Sequence, residues 1–596
     1  MEIRTEWDFG PLLKEDFSEK RKEIEKAYFS FRDKWKNNSE YLENAEVLKE
    51  ALDEYENIQR NFFEGGDEFY YLWLKTQLDE SNPQIRAEYN KSNEFRVNEY
   101  NEISFFTINI SKVSSEKQKE FLECEKLKDY KHFLERVFAE GKYVLSEKEE
   151  KIINLKSSSA YSFWVNMLSG FLSKEEGIVF DENLNEVKKS FSEMRSLQDN
   201  TNPEIRRKAS ETFNKVVEKY EDVAENEINA ILENKKINDK IRGYERPDKS
   251  RHIEDDIDSK VVDTLIESVS GRGFEISKRF YKMKANLFGL NKFDYSERNL
   301  EYGHMSKEFD YASSVNLIKK VFTDLDKIFG EIFDEFLKNG QIDVFPKKGK
   351  RDGAFCIIYG KNQPIYVMLN HTNKLKDVLT LAHEMGHAIN DVFMKENLNA
   401  LDIGSPKSVA EVASTFMEDF VLQELIKECS EEEKLVLLMQ KIQDDVQTIM
   451  RQTACYNFEK ELHEKFREKG YLSKKDVGKI FLENMKNYLG EIFEEGKSME
   501  DGWIYWPHIR EYFYVYSYAS GLLISKAMQK MVREDKSSID KIKEFLSAGT
   551  SESPKDIFMK MGIDITKKEF WENGLDEIEG LLNETEELAR KLGKID

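Results

Sequence analysis

Asp377-Val-Leu-Thr-Leu-Ala-His383-Glu384-Met-Gly-His387-Ala-Ile-Asn-Asp391 is the stretch on which the reading of this chain turns. Val378, Leu381, Met385, Ile389 and Val392 recur at intervals of three and four, which predicts an amphipathic helix. On such a helix His383 and His387 lie one above the other on a single face. Two imidazole nitrogens then reach one metal at about 2.0–2.1 Å. Glu384 sits one residue further round, poorly placed as a ligand but well placed to touch a water held at that metal. This is the HExxH arrangement of zinc peptidases. With 8 histidines and 115 acidic residues in 596 positions, a shuffled chain shows H-[DE]-x-x-H about 0.02 times.

A catalytic zinc takes a third protein ligand and keeps one position open. Asn390 and Phe393 stand where metzincins need Gly and His, so that class is excluded. The Gly-x-Met-Glu-Asn signature of zinc aminopeptidases is absent. The best carboxylate lies in Ser408-Val-Ala-Glu411-Val-Ala-Ser-Thr-Phe-Met-Glu418-Asp419-Phe420, a segment that reads as one helix. Glu411 is assigned as the third ligand. Glu418, seven residues on and on the same face, is assigned as partner to the other ring nitrogen of a ligand histidine. The residues alone leave the reverse assignment of the two glutamates open. His132, His252, His304, His371 and His463 have no ligand-like spacing and read as structural or surface residues.

Outward from this core, apolar residues repeat at helical spacing over long stretches, as in Leu48, Leu52, Tyr55, Ile58 and Phe62, closed by Gly65 and Gly66. Thr201-Asn202-Pro203-Glu204 marks another helix start. A soft boundary is placed near residue 200, separating a helical N-terminal region, 1–200, from a catalytic region, 201–596. One segment departs from the helical period. Ala354 to Tyr359 and Ile365 to Leu369 are rich in β-branched and aromatic residues, and Gly360 to Pro364 separates them. They read as a strand pair just upstream of the metal helix. A sheet edge there can take an extended peptide as an added strand, with Gly353 and Ala354 as substrate-binding positions.

The chain carries a net charge of −24 and 35% charged residues, the balance of a solvated surface that repels nucleic acid and anionic membrane. Its four cysteines, Cys124, Cys356, Cys429 and Cys455, include no CxxC pair, which fits a reducing compartment and gives no cysteine zinc knuckle. The N-terminus has no apolar core like that of a signal peptide, and no apolar run approaches the roughly 18 residues of a spanning helix. A cytoplasmic protein is expected. The oligomeric state is not legible.

The ordered segments Gly349 to Phe355, Pro364 to Asn370, Thr380 to His387, Ala410 to Phe416 and Pro507 to Tyr518 resemble the oligoendopeptidase F family, relatives of thimet oligopeptidase. Asn390 departs from the family pattern, where His is expected. The resemblance implies a mainly α, clam-like fold with a small sheet beside the zinc helix and a deep central channel. It implies one zinc ion and short peptide substrates cut internally.

In the late segment, His508, Tyr512 and Tyr516 are spaced four apart and are expected to share one helical face. By the resemblance, Tyr516 stabilises the oxyanion and His508 holds a substrate carbonyl. Tyr514 and Tyr518, on another face, are the competing choices, and Tyr512 and Tyr514 are taken as substrate-binding. Two other readings of the chain stand beside an endopeptidase: a catalytically silent peptide-binding protein, and a zinc carboxypeptidase on a similar fold.

Overall fold

The computed structural model describes residues 3–303 and 307–596. The chain divides into two compact units, each assembled from three separate stretches. The first holds Met1–Glu147, Ser306–Lys427 and Ala527–Ile563; the second holds Lys148–Met305, Glu428–Lys526 and Asp564–Asp596. The position near residue 200 marked in the sequence lies inside the second unit. Helices make up most of both, so the class is mainly α. Among the described residues no helix is long and apolar enough to cross a membrane.

In the first unit, the helix Ala45–Phe62 starts where Asn44 accepts the Glu46 N–H at 2.8 Å. Its Leu48, Leu52, Tyr55 and Ile58 enter a core shared with Ile24, Tyr28, Phe31 and Trp35 of the helix Phe17–Trp35. Burying each such side chain stabilises the unit by about 1.5–3 kcal/mol.

Five strands occur among the described residues. β1 (Glu176–Phe180) and β2 (Glu186–Ser190) form an antiparallel hairpin in the second unit, which the alternation in sequence did not announce. β3 (Ile342–Asp343), β4 (Phe355–Ile357) and β5 (Tyr366–Met368) form a sheet in the first, ordered β3-β5-β4. β4 and β5 are the expected pair, antiparallel with Cys356 opposite Val367. β3 pairs with β5 in parallel. The buried Lys350 ties the sheet to the loop before β4, donating to Asp343 Oδ1 at 2.7 Å and to the Leu369 carbonyl at 2.6 Å. β4 is left as an edge strand.

The helix that carries the histidines, α1, spans Leu375–Asn397. Asp377 starts it by accepting the Thr372 and Lys374 N–H groups at 2.7 and 2.9 Å. Val378, Leu381, Met385 and Ile389 are fully buried, as the period predicts. α1 packs along α2 (Val412–Lys427). Their approach is set by Gly386: a Cβ there would stand 2.6 Å from Ser414 Cα and 2.8 Å from the Ala413 carbonyl oxygen. Asn390 is buried on the same helix and donates to the Leu546 carbonyl at 2.8 Å, so the departure at this position is a tie between helices.

In the second unit, the helix Pro203–Lys219 starts as expected, with Asn202 accepting the Glu204 N–H at 2.9 Å and Pro203 at the first position. Its Ile205, Ala209, Phe213 and Val217 are buried.

Because the obstacle at Gly386 is backbone, Gly386→Ala forces α1 and α2 apart. The expected result is a lowered thermal midpoint, at the overpacking cost of about 1–3 kcal/mol. Thermal melting followed by circular dichroism checks it; an unchanged midpoint shows that the helices are not in contact at this residue.

Candidate active site

One turn of α1 brings the His383 and His387 rings to a centroid separation of 5.1 Å. Glu411 reaches both. Its Oε2 lies 3.2 Å from His383 Nε2 and 3.5 Å from His387 Nε2. The three ligand atoms fall within 4.8 Å of one another, and this is the one such group of three among the described residues. All three side chains are half-buried.

Glu411 does not sit within a continuous helix, as the sequence suggested. It stands at the joint between a short turn, Lys407–Ala410, and α2, with φ −85° and ψ 0°. Ser414 Oγ and Thr415 Oγ1 both donate to the Glu411 carbonyl, at 3.0 and 2.6 Å, alongside the helical bond from the Thr415 N–H at 3.2 Å. Ser414 Oγ also donates to Glu411 Oε2 at 3.1 Å and steadies the carboxylate.

Glu418, two turns along α2, lies with its Oε2 3.0 Å from His383 Nδ1. With the proton held on Nδ1, the lone pair of Nε2 points at Glu411. Electron-rich atoms 3.2 Å apart need a positive charge between them. In the protein alone a proton serves: burial opposes charge on His383, but Glu411 and Glu418 outweigh it and lift its pKa to about 10. Burial likewise opposes charge on Glu411, and the two imidazoles more than offset it, holding that carboxyl far below its usual range. A divalent cation answers the same demand, and two imidazole nitrogens with one carboxylate oxygen are a zinc-type donor set. The residues therefore fit a metal.

Glu384 is 8% exposed. Burial raises its pKa, opposed by the two histidines and by the Cys356 backbone N–H. That contact brings edge strand β4 against the carboxylate. Gly353 and Ala354 lead into β4. Gly353 has φ +84° and open space at its missing Cβ, and its carbonyl accepts the Asn370 side-chain amide at 2.8 Å.

Asp391 went unread in the sequence. It is buried one turn after His387, and burial lifts its pKa to about 7. Its Oδ2 accepts Cys356 Sγ at 3.5 Å. Its spacing of four from His387 was the available signal.

The aromatic segment of the second unit departs from expectation. His508 lies in a short 3₁₀ turn, Pro507–Glu511, and the next helix, α3, begins only at Tyr516 and runs to Glu534. Between them Tyr512 and Phe513 take φ values of +50° and +59°. His508, Tyr512 and Tyr516 therefore share no helical face. Tyr516 is fully buried and donates to Asp255 Oδ2 at 2.8 Å; its hydroxyl is committed inside the unit. Tyr512 donates to the Ile231 carbonyl at 3.0 Å.

Tyr514 and Tyr518 gather at His508 instead. Their ring centroids lie 5.4 and 5.9 Å from the imidazole, and their hydroxyls are 3.3 Å apart. Burial, then Arg451 and Arg195, lowers the His508 pKa to about 4, so the ring is neutral near pH 7. His252 lies between Ser259 and Tyr456 in the same unit, and His304 lies outside the described residues.

Comparison with known proteins agrees with this chemistry. The model of Peptidase family M3 matches residues 196–577, and that of Oligopeptidase F matches residues 109–169. Oligopeptidase PepF of Bacillus subtilis is 25% identical over 94% of this chain and 83% of its own. An oligoendopeptidase F homolog of Borreliella burgdorferi is 26% identical over 89% of this chain and 90% of its own. Among solved structures, oligoendopeptidase-F from Enterococcus faecium superposes with a TM-score of 0.71 at 19% identity, covering 96% of this chain and 99% of that one. That likeness is one of fold. The first family match spans well over half of the sequence and contains both histidines, Glu384 and Glu411, and on that ground the chain belongs to peptidase family M3 and is a metallo-oligopeptidase.

Proposed function

We propose that the protein is a zinc endopeptidase that cuts internal bonds of short peptides, with Glu384 as general base. One observation carries the reading: His383 Nε2, His387 Nε2 and Glu411 Oε2 converge within 4.8 Å, and a buried carboxyl follows His383 on the same helix. The three converging side chains would hold one zinc ion. When bound, zinc supplies Lewis acidity, which acidifies water and polarises a carbonyl oxygen.

The rest of the chemistry belongs to side chains. Glu384 takes the proton of the attacking water, and the raised basicity that burial gives its carboxylate suits that step. It then passes the proton to the leaving nitrogen. Glu418 keeps the His383 proton on Nδ1 and fixes the ring for metal binding. The free edge of β4, entered through Gly353 and Ala354, takes the extended substrate by main-chain hydrogen bonds. His508, Tyr514 and Tyr518 supply hydrogen bonds to substrate carbonyl oxygen. Tyr516, to which the family resemblance gives the oxyanion, yields that role to Tyr514, because its own hydroxyl serves Asp255. Internal cleavage follows the names of the relatives, oligoendopeptidases among them.

Three results are expected. Chelation abolishes cleavage of a quenched fluorescent peptide and added zinc restores it, and mass spectrometry of the products finds internal fragments. Release of single C-terminal residues instead makes the enzyme a carboxypeptidase. Glu384→Gln retains zinc, measured by atomic absorption, and loses cleavage on the order of 10²–10⁴-fold; full activity in that variant removes Glu384 as base. Glu418→Ala weakens zinc binding by roughly 10–100-fold in a competition titration, and an unchanged affinity rejects its role on His383.

A further inference from the structure

We propose that Glu459 is a positioning residue for the reaction, holding the turn that brings Tyr514 and Tyr518 onto His508. The inference rests on the reading that these aromatic groups serve the substrate carbonyl. Its starting point is the consecutive pair Tyr512 and Phe513, both at positive φ and neither a glycine. Conformations of this kind persist only where their surroundings over-determine them, and they gather at functional sites.

The surroundings here are specific. Glu459, on the helix Gln452–Lys469, accepts the Phe513 N–H on Oε1 at 2.9 Å. Arg510 is clamped by the buried Glu227 at 2.7 and 3.0 Å and donates to the Trp503 carbonyl at 2.6 Å. The Tyr161 hydroxyl donates to the Arg510 carbonyl. These other ties act on flanking residues, whereas the Glu459 bond acts on the backbone of the strained pair itself.

Glu459 is an expensive residue for a purely structural peg. It is fully buried, and its second oxygen, Oε2, has no hydrogen-bond partner. A buried carboxyl with one partner costs free energy that an apolar side chain would avoid. Burial pushes its pKa well up, and its one used oxygen fixes Phe513. Directly after Phe513, the Tyr514 ring stacks on His508 at 5.4 Å, and the His508 Nδ1 is buried with no partner of its own. Loss of the Glu459 acceptor frees the turn, and Tyr514 leaves the imidazole.

The test compares the zinc-loaded full chain with Glu459→Leu, Glu459→Gln, Tyr514→Phe and the double variant Glu459→Leu/Tyr514→Phe, reading kcat and KM on one fluorescent peptide alongside thermal melting. Glu459→Leu is expected to lower kcat on the order of 10²-fold with KM changed by less than about threefold, as Tyr514→Phe does. Glu459→Gln keeps an acceptor of the same shape and is expected to restore kcat to within about threefold of the parent. The double variant is expected to lose no more than Tyr514→Phe alone, because both changes remove one shared function.

A normal kcat in Glu459→Leu overturns the inference while leaving the aromatic groups in their role. So do losses that multiply in the double variant, or a Gln variant as impaired as the Leu variant. A normal kcat in Tyr514→Phe overturns the reading beneath it. If Glu459→Leu does not fold, Glu459→Asp, whose carboxyl is withdrawn by one methylene, takes its place with the same expectations and the same overturning result.

Discussion

Three lone pairs aimed at one point are the constraint on which the first unit is built. Two imidazole nitrogens and a carboxylate oxygen sit 3.2 and 3.5 Å apart, closer than uncompensated electron pairs tolerate. The helices hold them there. α1 fixes the two rings by its pitch. Gly386, between them in sequence, lets α2 approach until its backbone lies where a side chain would be. That contact brings Glu411 and Glu418 within reach of the same imidazole from opposite sides. A small residue in the middle of HEMGH is thus as much a part of the site as the histidines flanking it.

The same compactness sets the charge. Around His383 and His387 the first unit gathers Glu384, Glu411, Glu418 and Asp391. Four carboxyls against two imidazoles leave a deficit of positive charge in a partly dry environment, where interactions between charges are strong. Protons fill the deficit in the protein alone: Glu411 and Glu418 lift the His383 pKa to about 10 against its burial, and burial lifts that of Asp391 to about 7. A dication fills it better and displaces protons in doing so, so metal affinity rises with pH until the ligands are fully deprotonated.

How much of this was legible depended on whether the cause was local. The period of Val378, Leu381, Met385 and Ile389 dictated α1, and with it the stacked histidines. The spacing of Glu411 and Glu418 put both carboxylates on one face but left open which of them meets the metal and which the ring behind it. The break at Glu411 was less visible, because Ser408 to Phe420 holds no glycine or proline to announce it. β3 was beyond reach, since a two-residue strand exists only because β5 lies parallel to it. The same holds for the two units, whose interleaved stretches are joined by contacts between residues far apart in sequence.

The aromatic segment is the instructive failure. From His508 to Tyr518 there is no glycine, and proline occurs only before His508, so nothing local announces that helix formation stops. A continuous helix would have put Tyr512 and Tyr516 beside His508. The turn at Tyr512 and Phe513, at a cost of order 1–3 kcal/mol per residue in such conformations, shifts the register by two. It turns Tyr514 and Tyr518 to the imidazole and sends Tyr512 and Tyr516 to Ile231 and Asp255. Tyrosines stand in both registers, so the side chains alone do not choose between them. The choice is made by what grips the backbone from outside the segment: Glu227 through Arg510, Tyr161 on the Arg510 carbonyl, and Glu459 on Phe513. Each lies at least 54 positions away in sequence, and a reading that moves along the chain meets them as ordinary helical residues.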